Sequence, residues 1–347
     1  MTSLPLPPHF DPDRVGQVWP VDYATREVQA GAWARTHHIG PASADALRIC
    51  LMLIDCQNTF CTPGHELFVA GRSGTGAVED NVRLCEFVYR NLHRITSIVA
   101  TLDTHTAVQI FHPVFWINHV GEHPKGAATV ITASDIEDGV WRVNPAVADV
   151  VAGGDAEFLR QHALHYARTL EQGRYPLMIW PYHAMLGSVG HALVSAVEEA
   201  LFFHGVARKT TLRFETKGDN PLTEHYSVLR PEVITGPHGA PIGAVNEALV
   251  DRLAEFDAVI LAGQAKSHCV AWTAADLLQM FRARDEALPA RVYLLEDCTS
   301  PVVVPGVVDF TEEADETFRE LAAAGMRVVR SVDPMESWAG VLGAGHA

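Results

Sequence analysis

From Leu47 onward, short apolar runs alternate with stretches of helical spacing. Leu47–Ile54 is almost continuously apolar, the pattern of a strand buried on both faces. Similar runs recur at Ile98–Leu102, Leu177–Ile179, Ala258–Ala262, Val292–Leu295 and Met326–Val329. Between them, Val78–Leu92, Ala192–Phe203, Val245–Phe256, Val270–Phe281 and Phe310–Ala324 carry apolar residues near every third or fourth position. That is the period of an amphipathic helix. Strands alternating with helices predict an α/β fold, with a mostly parallel central sheet covered by helices on both faces in three layers.

The pattern fails in two places. Residues 1–46 are rich in Pro, His and small residues and hold no sustained period. They read as an arm lying over the surface or onto a neighbouring subunit, or as a partly disordered tail. Between His105 and Trp180 the alternation is interrupted by the aromatic, turn-rich stretch Phe111–Pro124, and Ala156–Glu171 reads as an additional helix. The interruption, at about 106–176, is a candidate lid or specificity wall. The expected organisation is therefore an arm (1–46), an α/β domain (47–335) carrying that insertion, and a C-terminal tail (336–347).

Composition narrows the class. Of 347 residues 48% are apolar and 20% charged, which suits a packed globular chain with a core large enough to need no disulfide. A formal net charge of -16 opposes phosphate backbones and anionic membrane surfaces, so neither nucleic acid nor membrane is an expected partner. Cys50, Cys56, Cys61, Cys85, Cys269 and Cys298 form no CxxC pair and no zinc-finger spacing. They read as buried thiols, with room for one reactive thiol among them, in a reducing compartment. Met1–Asp22 lacks the apolar stretch of a secretory signal, and no run approaches the roughly 18 apolar residues of a membrane span. The cytoplasm is the expected location.

Chemically capable residues cluster where the predicted strands end, the usual ligand edge of such folds. Asp55 follows Ile54, Asp103 follows Leu102, and Gly263 leads to Cys269. In Gly263–Leu278 (GQAKSHCVAWTAADLL) a strand, a turn and a helix put Cys269 at a helix N-terminus, where the dipole favours a thiolate and backbone N–H groups suit an oxyanion. Taken alone, Cys269 is equally a small residue for packing the first turn. Lys217, at the end of a strand-like run, is by itself either a solvated charge or a cation for a nearby thiol. Asp103 and His105 are one residue apart, so an extended backbone points both to one side; His183 would complete a mixed O/N set for Zn, Fe or Mn. With 18 histidines in the chain, chance pairs are common.

Together and in this order, the segments Ile54–Gly64, Leu102–His105, Trp180–Leu193, Thr216–Leu229 and Gly263–Asp276 resemble the nicotinamidase/isochorismatase-like cysteine hydrolases, closest to the metal-binding nicotinamidase-type branch. The resemblance runs from about Leu47 to Val329, apart from the insertion. It implies an isochorismatase-like hydrolase fold with a Cys-Lys-Asp triad of Cys269, Lys217 and Asp55. It further implies an oxyanion hole at the N–H groups of Ala265 and Cys269, substrate contacts from Phe60 and Trp180, and a divalent metal on Asp103, His105 and His183. A cis peptide before Ala265 is also part of the family pattern. The implied reaction is amide hydrolysis through a thioester. Asp55, assisted by Lys217, takes the thiol proton, the thiolate attacks the carbonyl, the amine leaves, and water releases the acid. A small carboxamide, heteroaromatic like nicotinamide, is the expected substrate, and a homo-oligomer the expected assembly. The alternatives are another small amide, carbamoyl or ureido substrate, or a non-catalytic binding or assembly member.

Three positions depart from the family pattern. Gln109 stands where another metal-ligand histidine is usual, leaving Gln109, His112, His123 or water for a fourth ligand. Thr59 and Ser267 stand where acidic residues are common. These departures bear on the substrate rather than on the general chemistry.

Overall fold

Six strands build the central sheet of the computed structural model, which describes residues 3–127, 129–173, 175–340 and 342. They are β1 (Ile49–Ile54), β2 (Ser97–Asp103), β3 (Arg213–Lys217), β4 (Ala258–Gly263), β5 (Val292–Leu295) and β6 (Arg327–Val329). Their order across the sheet is β6-β5-β4-β1-β2-β3. The pairings of β1 with β2 and β4, of β4 with β5, and of β5 with β6 are all parallel. This is the mostly parallel α/β sheet that the alternating pattern predicts.

Helices α1 (Tyr23–Thr36), α2 (Gly76–Arg90), α3 (Ser195–Arg208), α4 (Glu247–Ala254), α5 (Ala271–Arg284) and α6 (Thr311–Ala323) accompany the sheet. β1 is buried at all six positions. Ile49, Leu51 and Leu53 join one core with Leu84, Phe87 and Val88 of α2 and Val197, Leu201 and Phe203 of α3. Cys50, Met52 and Ile54 alternate to the other face and are buried too. Full burial of an apolar side chain of this size stabilises by about 1.5–3 kcal/mol. This is why a strand in the middle of such a sheet has no polar face to show in its sequence.

The chain divides into two compact units. The first comprises Met1–Leu102, Ala192–Glu215 and Glu247–Ala347, and the second Asp103–His191 and Thr216–Asn246. The second unit thus takes in the DxH segment, the interruption and the lysine segment. Its helix Ala156–Glu171 has the bounds that the periodicity predicts.

Three expectations are corrected or sharpened. Leu177–Ile179 is a strand, but it pairs antiparallel with Thr129–Ile131 in a separate two-stranded sheet. A three-residue apolar run contains nothing that selects its partner. The place in the central sheet goes to Arg213–Lys217, which the apolar count passes over. The N-terminal arm packs on its own chain and contains a helix, α1, capped by Asp22. Leu4 is buried, the Trp19 N–H donates to Ser195 Oγ at 2.9 Å, and Arg26 pairs with Glu199 at 2.8 Å, which ties the arm to α3. The helix has only Ala30 buried, so its sequence shows no apolar stripe. Of the expected tail 336–347, residues 341 and 343–347 lie outside the described residues.

Candidate functional site

In the second unit, Asp103 ends β2 and the chain continues extended. The Thr104 N–H donates to the Lys217 carbonyl at 2.8 Å and the His105 N–H to the Ala184 carbonyl at 3.0 Å, while the His105 carbonyl accepts from Leu186 N–H at 3.0 Å. These backbone bonds carry the segments of Lys217 and His183 alongside the DxH motif. Asp103, His105 and His183 are all buried, and their ligand atoms lie within 4.8 Å of one another.

The orientation of both imidazoles is set from behind. His105 Nδ1 faces the Gly218 carbonyl at 2.9 Å and His183 Nδ1 the Pro181 carbonyl at 2.8 Å. A carbonyl only accepts, so both Nδ1 atoms carry hydrogen and both Nε2 atoms turn inward. They meet the same oxygen, Asp103 Oδ2, at 2.8 Å from His105 and 3.4 Å from His183. Backbone-anchored imidazoles directed with a carboxylate at one point are the arrangement in which metal-ligating histidines are held. The donor set fits a divalent cation. Burial works against charge on His105, yet the Asp103 carboxylate raises its pKa above the usual value. Burial likewise opposes ionisation of Asp103, but His105 and Lys217 hold its carboxyl well below the usual range.

Gly218 makes this packing possible. Its φ is +86°, and a Cβ there would lie 2.5 Å from His105 Cε1 and 2.9 Å from Asp103 Oδ1. No side chain fits.

The candidates for a fourth ligand separate on contacts. Gln109 spends its amide on the Gly218 and Asn220 carbonyls and accepts the Thr106 N–H at 3.2 Å, so it serves the backbone. His123 Nδ1 donates to the Trp116 carbonyl at 2.7 Å. His112 stands with its ring 5.7 Å from that of His105 and 5.9 Å from that of His183, and its buried Nε2 has no hydrogen-bond partner among the described residues. Burial, helped by His183 and His105, pushes its pKa down to about 3, so the imidazole is neutral with a lone pair to offer.

Lys217 Nζ donates to Asp103 Oδ1 at 2.8 Å and to the His225 carbonyl at 2.9 Å. The carboxylate of Asp103 is thereby shared between an ammonium and two imidazoles. Trp180 is buried, and its indole N–H donates to Tyr226 Oη at 3.0 Å, which fixes the ring plane. Phe111, Phe115 and Trp116 are all buried, and the Trp116 N–H donates to the Ile110 carbonyl at 2.6 Å.

The nucleophile segment lies in the first unit. Ile54 of β1 pairs with Gly263 of β4, so Asp55 and Gln264 leave adjacent strand ends. Gly263 has φ +116°, and a Cβ there would sit 2.0 Å from the Ile54 carbonyl oxygen. The Gln264–Ala265 peptide is cis. Lys266–Val270 then forms a π-helical turn that runs into α5 and contains Cys269, buried at 8% exposure. Such turns occur often at functional sites. Asp55 has φ +48°, a left-handed conformation that is strained for a residue other than glycine. Its N–H donates to Thr101 Oγ1 at 3.0 Å and the Thr101 hydroxyl donates back to Oδ1 at 2.5 Å. Phe60 follows on the short helix Asn58–Cys61 and is buried.

Sequence reasoning missed Thr101, Gly218, Tyr226 and Glu224. Burial raises the pKa of Glu224, whose Oε1 accepts the His225 N–H at 2.9 Å while Oε2 has no partner among the described residues. Gly218, Glu224 and Tyr226 were within reach, since they stand in the lysine segment itself. Thr101 carried no signal, as a threonine in a strand is ordinary.

No protein-family model matches the chain, and no curated protein does. Among solved structures, 51 chains match. One is the nicotinamidase/pyrazinamidase of Acinetobacter baumanii, at 18% identity over 83% of this chain and 99% of that one, with a TM-score of 0.47. Another is the yeast nicotinamidase, at 19% identity over 81% and 99%, with a TM-score of 0.49. The N-carbamoylsarcosine amidase of Thermoplasma acidophilum follows at 14% identity over 83% and 99%, with a TM-score of 0.40. The chain is similar to these amidases.

Proposed function

We propose that this protein is a cysteine amidohydrolase that cleaves a small carboxamide, heteroaromatic like nicotinamide, with help from a divalent metal such as Zn, Fe or Mn. The observation that carries the reading is the buried group of Asp103, His105 and His183, in which both Nε2 atoms converge on one carboxylate oxygen. Cys269 is the nucleophile, presented at the turn before α5. Asp55, oriented by Thr101, takes the thiol proton and returns it to the leaving amine, and Lys217 assists with its positive charge. The thiolate attacks the amide carbonyl. The oxyanion that forms accepts hydrogen bonds from the N–H groups of Ala265 and Cys269, ammonia leaves, and water hydrolyses the thioester. Asp103, His105 and His183 would hold the metal, which when bound supplies Lewis-acid polarisation and orientation of the substrate. Phe60 and Trp180 supply flat apolar surface for a ring. The protein works as a homo-oligomer in the cytoplasm.

The test is ammonia release by the zinc-, iron- or manganese-loaded protein from nicotinamide, pyrazinamide, an aliphatic amide and an N-carbamoyl amino acid. Turnover is expected with the aromatic amides and none with Cys269→Ala. Preference for the N-carbamoyl compound would move the substrate to the carbamoyl class, and full activity in Cys269→Ala would end the mechanism.

A further inference from the structure

The turn that carries Cys269 is stitched to the segment Ser300–Val302. The Ser300 N–H donates to Gln264 Oε1 at 3.2 Å, the Lys266 N–H donates to the Ser300 carbonyl at 2.8 Å, and the Val302 N–H donates to Ser267 Oγ at 3.0 Å. Ser267 Oγ also lies 2.8 Å from His268 Nδ1. Both side chains are buried, at 1% and 5% exposure, and the His268 ring meets Phe310 edge-on at 5.0 Å. The two residues immediately before Cys269 are thus committed to a hydrogen-bonded chain that begins on a different segment.

We propose that Ser267 is a positioning residue for Cys269: its hydroxyl, held by the Val302 N–H, donates to His268 Nδ1 and locks the turn that presents the thiol. This rests on the reading of Cys269 as nucleophile. A hydroxyl suits the position because it accepts and donates at once, whereas an ionised carboxylate only accepts. Burial pushes the His268 imidazole down to about 3, so the ring is neutral and one nitrogen can accept. The proton of the Ser267 hydroxyl then selects the tautomer, with hydrogen on Nε2. Held in this way, the imidazole keeps one rotamer and the following residue keeps one direction.

Ser267→Ala removes the donor and leaves the Val302 N–H without its acceptor. Ser267→Thr keeps both functions. The experiment measures iodoacetamide alkylation of Cys269 against pH, located by peptide mapping, together with kcat and KM, in the full-length protein and both variants. Circular dichroism establishes that each variant is folded. In Ser267→Ala the alkylation profile should shift and kcat fall by about tenfold with KM little changed, as expected for a small misplacement of a reacting group. Ser267→Thr should restore both. If Ser267→Ala keeps the native alkylation profile and kcat, or if Ser267→Thr is damaged as badly, the positioning role is wrong. Should Cys269 of the unaltered protein alkylate no faster than Cys50 or Cys85, the nucleophile assignment itself fails, a result distinct from the first.

Discussion

The Lys217 ammonium donates to Oδ1 of Asp103 at 2.8 Å while Oδ2 of the same carboxylate faces His105 Nε2 at 2.8 Å. One buried carboxylate therefore serves both the proposed catalytic lysine and the proposed metal. The consequence is that the two cannot be altered independently, and the first prediction follows from it.

Asp103→Asn removes the carboxylate charge that faces the buried Lys217 ammonium at 2.8 Å. Removing one partner of a buried ion pair costs about 3–5 kcal/mol. Urea denaturation of the metal-free variant should show a loss of that order, and the variant should retain no zinc on purification. A variant with native stability would mean that Lys217 has another adequate partner.

Zinc should stabilise the native protein. At a free concentration near 100 times its dissociation constant, a ligand that binds only the folded state adds about 2.7 kcal/mol. Thermal unfolding with and without zinc reads this directly. His183→Ala should abolish most of the shift, because the group retains only two of its three donors. A shift that survives intact in His183→Ala would place the zinc elsewhere.

Gly218→Ala forces a Cβ to within 2.5 Å of His105 Cε1 and puts a side chain at φ +86°. Backbone strain of this kind costs about 1–3 kcal/mol, and the clash adds to it. The expected result is a lower unfolding midpoint together with weaker zinc binding, since the ring that moves is a proposed ligand. Normal zinc affinity in a folded Gly218→Ala protein would argue against His105 as that ligand.

Acid should destabilise the first unit through His204. Its ring is fully buried, Nε2 donates to the Ile95 carbonyl at 2.9 Å, and burial lowers its pKa from 6.5 to about 4. Between these values the unfolded chain binds the proton and the folded chain does not, so stability rises with pH. The contribution is complete above pH 6.5 and is lost as pH falls toward 4. His204→Gln should flatten the urea midpoint over that window relative to the native protein. Parallel pH curves would show that His204 is not responsible.

Trp116→Ala tests whether the aromatic stretch after the DxH motif meets substrate or holds structure. The ring is fully buried and its N–H bonds the Ile110 carbonyl. A large-to-small change of this kind costs about 3–5 kcal/mol. Loss of stability is therefore expected, with activity falling evenly across amides. A selective loss for aromatic amides in a protein of native stability would show instead that Trp116 meets the substrate.

What the sequence by itself determined is the chemical inventory and the local elements. Leu47–Ile54 was legible as a buried strand because a strand covered on both faces must be apolar throughout. Ala156–Glu171 was legible because its buried face recurs at helical spacing. Asp103, His105, His183 and Cys269 stood out through residue type and strand-end position, which are local properties. The tertiary structure alone decided which groups meet. Lys217 reaches Asp103 across 114 positions and His105 reaches the Gly218 carbonyl across 113, and no short-range pattern encodes either contact. The same holds for Leu177–Ile179, whose apolar run announces a strand but not its partner, and for α1, whose place on α3 comes from long-range contacts such as Arg26 with Glu199 and Trp33 with Phe203. Periodicity records which side of an element is buried. Identity of the neighbour depends on how distant segments fill space together, and that is settled only when the chain packs.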